Sequence, residues 1–78
     1  MKRTNVQDIF LINAKEAQTL VTLFLTNGVR FQEKIVGFDA FSILFEISGH
    51  QQLVMKSMIS TLVPSDKIPM FAKNHSEV

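Results

Sequence analysis

The chain has 78 residues, no cysteine, and eight Lys and Arg set against seven Asp and Glu. That length holds one domain with a small core, and with no disulfide available, self-association is the expected source of extra stability. The near-neutral balance excludes binding driven by overall charge, and two histidines without a cysteine exclude a structural zinc site.

The N-terminus, Met1-Lys2-Arg3-Thr4-Asn5, is basic, but Gln7 and Asp8 follow and no continuous apolar run does. No signal peptide is expected, and the expected compartment is the cytoplasm, which fits the missing cysteine. The longest apolar runs fall far short of the ~20 residues of a membrane span. Asn5 is a good N-cap, with Asp8 in the first turn where the helix dipole favours an anion. Val6, Ile9, Phe10, Ala14 and Ala17 recur near helical spacing, which predicts a helix over 6–17 with Leu11 and Ile12 widening its apolar stripe.

Five short strands are expected next. Leu20 to Thr26 alternates, with Val21, Leu23 and Leu25 on one face. Asn27-Gly28 then stands between two alternating apolar runs, the strongest short-range hairpin signal, and both residues tolerate the positive φ of a tight turn. Val29 to Phe38 forms the return strand, with Gly37 placed to bend or bulge it. Asp39-Ala40 makes a turn, Phe41, Ile43, Phe45 and Ile47 alternate, and Ser48-Gly49-His50 turns again. Gln51 to Lys56 is a short strand, and Ile59 to Val63 is the last, stopped by Pro64. The expected class is mainly β: an N-terminal helix, then five antiparallel strands in a small, strongly bent barrel over residues 1–65. From Ser65 onward the chain is aperiodic, and 66–78 reads as a mobile tail.

The first hairpin gathers Phe24, Arg30, Phe31 and Gln32. Two aromatic planes, a cation and an amide suit stacking and base-edge hydrogen bonding of single-stranded nucleic acid. A core role is the alternative for Phe24 and Phe31, although the alternation with Leu23 and Leu25 points Phe24 away from the main core. Ser57 and Ser60 as nucleophiles, with His50 as base and Asp39 as its orienter, lack any active-site framework. No catalysis, cofactor or metal is expected, and His50 beside Gly49 reads as a solvated loop residue.

Four segments in one order and spacing, Val6-Gln7-Asp8-Ile9-Phe10-Leu11, Phe24-Leu25-Thr26-Asn27-Gly28-Val29, Gly37-Phe38-Asp39-Ala40-Phe41 and Ile59-Ser60-Thr61-Leu62-Val63-Pro64, closely resemble the bacterial RNA chaperone family Hfq, of the Sm/Lsm group. The resemblance covers roughly residues 5–65. It implies a five-stranded Sm-like (SH3-like) barrel assembled as a homohexameric ring. It also implies partners: small regulatory RNA and mRNA, held for post-transcriptional regulation without a membrane.

On the distal face the resemblance implies A-rich RNA bound by Phe24, Gly28, Val29, Arg30, Phe31, Gln32, Gln52, Ser60 and Thr61. Phe24 stands at the family's tyrosine position, keeping the plane and losing the hydroxyl. At the proximal pore it implies U-rich RNA held by Gln7, Asp39, Phe41, Lys56 and Ser57. There the family's Tyr-Lys-His reads Met55-Lys56-Ser57, and the glutamine before the aromatic is Ala40. A neutral hydroxyl is a weaker phosphate donor than a charged one, so weaker uridine binding is expected. Lys56 is open to a plainer reading, a buried-stem lysine at a strand end. At the rim only Lys15 remains of an arginine cluster, beside Glu16, and a solvated helix face is the expected reading. The alternative function is a structural or protein-interaction ring with reduced RNA binding.

Overall fold

The structure is a computed structural model that describes residues 5–70. The segments 1–4 and 71–78, with His75 and most of the expected tail, lie outside the described residues. Helix α1 spans Val6–Ala17. Strands β1 (Leu20–Leu25), β2 (Arg30–Phe38), β3 (Ser42–Ile47), β4 (His50–Met55) and β5 (Ile59–Pro64) follow, with a 3-10 turn at Lys56–Met58 before the last. Every expected element is present, with ends shifted by no more than one residue.

The helix starts where its chemistry says it should. The Asn5 side-chain oxygen accepts from the Asp8 backbone N–H at 2.8 Å. It ends at Gln18, which takes the left-handed conformation (φ 54°) and returns its N–H to the Lys15 carbonyl. The apolar stripe sits differently from its expected centre. Leu11 and Ala14 are buried, whereas Val6 is 72% exposed and Ala17 is exposed. Leu11, expected only to widen the stripe, is 1% exposed and lies at its buried centre with Ala14.

The strands form one antiparallel sheet in the order β4-β3-β2-β1-β5. Four strand spacings in a flat sheet would separate β4 from β5 by ~19 Å. The three-residue turn Lys56–Met58 that joins them, four steps from Met55 to Ile59, reaches ~14 Å at most even fully extended. The sheet must therefore curl until its two edges approach, and that is the barrel. Two register slips help it bend. Ile35 pairs with Phe45 and Gly37 with Leu44, leaving Val36 unpaired, one residue before the glycine expected there. Phe24 pairs with Thr61 and Leu25 with Ile59, leaving Ser60 unpaired.

The two hairpin turns divide their chemistry in an unexpected way. At Asn27-Gly28 only Gly28 has positive φ (93°). Its N–H donates to the Leu25 carbonyl at 3.0 Å, and Leu25 N–H donates to the Val29 carbonyl at 2.8 Å. This is a three-residue loop ending in a left-handed glycine, and Asn27 serves through its side chain, which accepts from Val29 N–H at 3.0 Å. The two-residue turn with positive φ at both positions lies instead at Ser48 (φ 50°) and Gly49 (φ 81°), so His50 already belongs to β4.

Inside the curl, Val21, Leu23, Ile35, Ile43 and Phe45 close on Leu11 and Ala14. Ile68, in the segment expected to be free of the domain, is 5% exposed and part of that core. The Asn13 side-chain amide donates to the Pro69 carbonyl nearby. Pro64 does not stop β5 from outside; it is the last strand residue, paired with Val21. Of the four alternating residues of this segment, Ile43 and Phe45 are buried, whereas Phe41, just before β3, and Ile47, at its end, are exposed, Phe41 at 73%.

Candidate nucleic-acid interface

Cross-strand register sorts the outer face of the sheet. Phe24 stands opposite Arg30 on one side and Thr61 on the other. Thr22 stands opposite Gln32 and Val63. Since Val21 and Leu23 are fully buried, these partners point the other way, out of the barrel. Thr22, Phe24, Arg30, Phe31, Gln32 and Val63 line one shallow pocket of about 480 Å³. Phe24 is thus half-buried on the outside, while Phe31 both lines the pocket and packs against the core. Gly28 and Val29, at the hairpin tip, abut the Phe24–Arg30 pair.

Two residues expected on this face stand elsewhere within one chain. Gln52 is on β4, at the edge of the sheet opposite Thr61 on β5. Ser60 sits in the register slip and lines a second groove, of about 350 Å³, with Gln7, Lys56 and Thr61. The Ser60 and Thr61 hydroxyls lie 3.3 Å apart and share a hydrogen bond. Thr22 and Val63 are pocket residues that sequence reasoning did not single out. The strand alternation that exposed Phe24 carried the signal for Thr22.

A second cluster forms where β3 begins and β4 ends. Lys56 N–H donates to the Phe41 carbonyl at 2.8 Å, which sets the exposed ring beside the lysine. The Lys56 ammonium lies over the Phe38 ring, 5.9 Å from its centroid. Lys56 is half-buried, with its charged end held against an aromatic ring. Asp39 Oδ1 accepts from Phe41 N–H at 2.9 Å, Ser42 N–H at 2.8 Å and Ser42 Oγ at 2.9 Å. These backbone hydrogen bonds, from Phe41 first and Ser42 next, hold its carboxyl below the usual aspartate range, with the Ser42 hydroxyl and nearby Lys56 adding to the effect. Asp39 shapes the turn that presents Phe41. Ser57 is exposed in the 3-10 turn.

Lys15 lines a groove of about 570 Å³ on the flank with Lys34, Glu46 and apolar residues including Leu20, Val36 and Ile47. Lys34 thus adds a second cation to the groove beside the one the helix supplies. Behind the outer face, Glu33 points inward opposite Val21, 7% exposed, with its Oε1 buried and unpartnered. Loss of solvent raises its pKa from the ordinary 4.5. Ser57, Ser60, His50 and Asp39 form no catalytic group: His50 opens β4 at the Ser48-Gly49 turn, and Asp39 is engaged by its own turn. Among the described residues no group of three His, Asp or Glu could hold a metal, and no helix is long and apolar enough to cross a membrane.

Comparison with known proteins follows the same lines. A family model described as Hfq protein matches residues 6–69. A relative from Granulibacter bethesdensis named RNA-binding protein Hfq is 49% identical over 70 residues, covering 90% of this chain and 75% of its own. Another of that name from Rhodospirillum rubrum is 43% identical over 77 residues, covering 99% and 93%. A solved structure titled as the pleiotropic translational regulator Hfq superposes with a TM-score of 0.73 at 37% identity, covering 76% of this chain and 98% of that one. The same helix, the same five-stranded curl and this extent of identity have one consequence: the chain belongs to the Hfq family.

Proposed function

We propose that this protein is an RNA chaperone of the cytoplasm, a homohexameric ring that holds small regulatory RNA and mRNA without catalysing a reaction. A-rich RNA lies on the outer sheet face, over Phe24, and U-rich RNA binds more weakly around Phe41 and Lys56. The observation that carries this reading is the pocket in which an aromatic plane, a guanidinium, an amide and a hydroxyl meet on one exposed sheet face. Those groups supply stacking and base-edge hydrogen bonds, which need no large net charge.

The ring follows from the edges. β4 carries Leu53, 65% exposed, and Met55; β5 carries exposed Val63. Both strands are sheet edges in a single chain, and apolar edges left open invite uncontrolled pairing. Pairing β4 of one copy with β5 of the next satisfies both, and repetition closes a ring. The same pairing brings Gln52 of one copy toward Thr61 of its neighbour, completing the adenine site.

Filter binding with A-rich and U-rich oligonucleotides at equal ionic strength tests the reading. The expected result is tighter A-rich binding, weakened in Phe24→Ala by ~1–3 kcal/mol per stacked base with the ring intact. U-rich RNA bound as tightly as A-rich RNA would refute the ranking of the faces. Binding of neither would favour a purely structural ring, and native mass spectrometry showing mainly monomer would refute the assembly.

A further inference from the structure

The outer-face pocket extends beyond the aromatic plane. Its two rows of side chains run across three strands: Thr61–Phe24–Arg30, and next to it Val63–Thr22–Gln32. Along a strand these rows are about 6.6 Å apart, the repeat of residues i and i+2. Among the described residues no hydrogen bond occupies the Thr22 hydroxyl or the Gln32 side-chain amide. Both are open to the pocket they line.

We infer that Thr22 is a specificity-determining residue, whose hydroxyl, beside the Gln32 amide, receives the far edge of a purine lying on Phe24. This rests on the proposed A-rich role of the outer face. A bicyclic base stacked on the Phe24 ring reaches from the first row into the second, and a single-ring pyrimidine stops short of it. The hydroxyl both donates and accepts, as does the amide opposite, so the pair matches an edge carrying a donor next to an acceptor. Val63 closes the other side of Thr22 with apolar surface and leaves it one direction in which to bond. Thr22 therefore favours purines over pyrimidines through a contact that only the longer base makes.

The test measures the affinity of short A-rich and U-rich RNA for the assembled protein and for Thr22→Val, Thr22→Ser and Phe24→Ala, at one salt concentration. One neutral hydrogen bond per site corresponds to about a five-fold change in affinity. Thr22→Val is expected to lose about five-fold for A-rich RNA and nothing for the same RNA with pyrimidines in place of the purines that lie on Phe24, while U-rich RNA, whose proposed site is around Phe41 and Lys56, reports only whether the assembly is intact. Thr22→Ser, which keeps the hydroxyl, is expected to retain most of the wild-type affinity and serves as the rescue if the valine variant fails to fold. Unchanged A-rich binding in Thr22→Val, with Phe24→Ala weakened, overturns this inference and leaves the outer face as the RNA site. Unchanged binding in both variants overturns the outer-face reading and this inference with it. Equal losses for A-rich RNA and for its pyrimidine-substituted form overturn the base-edge contact, because Thr22 would then act on something common to all nucleotides.

Discussion

Glu33 lies among the apolar residues that close the barrel, and replacing it should make the protein more stable. The residue is 7% exposed, one buried carboxyl oxygen has no partner, and its pKa is raised because burial penalises the charged form. An unsatisfied buried polar group costs ~1–3 kcal/mol, and a charged one costs more. The sign of the pH effect follows. Below the unfolded value of 4.5 the group is neutral in both states and costs least. As pH rises through the window between that value and the higher folded one, the unfolded chain releases its proton first, and stability falls by up to ~1.4 kcal/mol per pH unit. Above the folded pKa the penalty is complete and constant. Glu33→Met, apolar and of similar length, should therefore gain at least ~1 kcal/mol at pH 8 and lose this pH dependence. Glu33→Gln should lose the pH dependence while keeping an unsatisfied amide. The chain has no Trp or Tyr, so the assay is urea unfolding followed by far-ultraviolet circular dichroism. Protein concentration is held fixed because assembly contributes to apparent stability. A wild type as stable as Glu33→Met at pH 8, with a parallel pH profile, would show that the carboxylate is paired in the assembly and would refute the argument.

Two further substitutions probe local geometry. Gln18→Gly should raise stability by about 1 kcal/mol, because a residue with a side chain now holds the left-handed position that ends α1; a lowered urea midpoint would show that the Gln18 side chain contributes more than the strain costs. Asp39→Ala removes the acceptor of three hydrogen bonds at the Phe41 turn, so it should weaken U-rich binding more than A-rich binding. Because the Asp39 pKa is depressed below 3.8, its stabilisation is present above that value and lost as pH falls through the lower folded pKa. Acid titrations of wild type and variant should therefore converge at low pH, and equal spacing at all pH values would contradict this origin.

Local signals were legible in the sequence wherever one segment decides its own structure. Asn5 and Asp8 marked the helix start, and alternation at Val21, Leu23, Ile43 and Phe45 marked the inward faces. The face of Phe24 followed from the same alternation. What escaped depends on partners distant in sequence. Ile68 has no periodic neighbours, and its burial comes from docking onto α1 and the curled sheet. Ser60 left the expected face because a register slip breaks alternation, and a slip is a property of two strands. The turn at Asn27-Gly28 was located correctly, but its type is set by the pairing of Leu25 with Val29, which one strand alone does not specify. Glu33 carried no signal of its own in the sequence, and its inward position follows from the register opposite Val21.

The division of the proposed adenine site between opposite edges has a thermodynamic consequence. Phe24 and Thr61 lie on β1 and β5, while Gln52 lies on β4. If Gln52 enters the site from the adjoining copy, an RNA base seated there touches two chains at once. It then binds the paired state and not the separated one, and by mass action it stabilises the contact by RT ln(1 + [L]/Kd). The converse also holds, since a free edge lacks the Gln52 amide of the adjoining copy. Small size adds weight to this linkage, because a single chain has little core stability to spare. Edge pairing, base recognition and the stability of the domain are then three readings of one equilibrium, so a substitution at exposed Leu53 on β4, outside the base site, would act on RNA affinity through assembly alone.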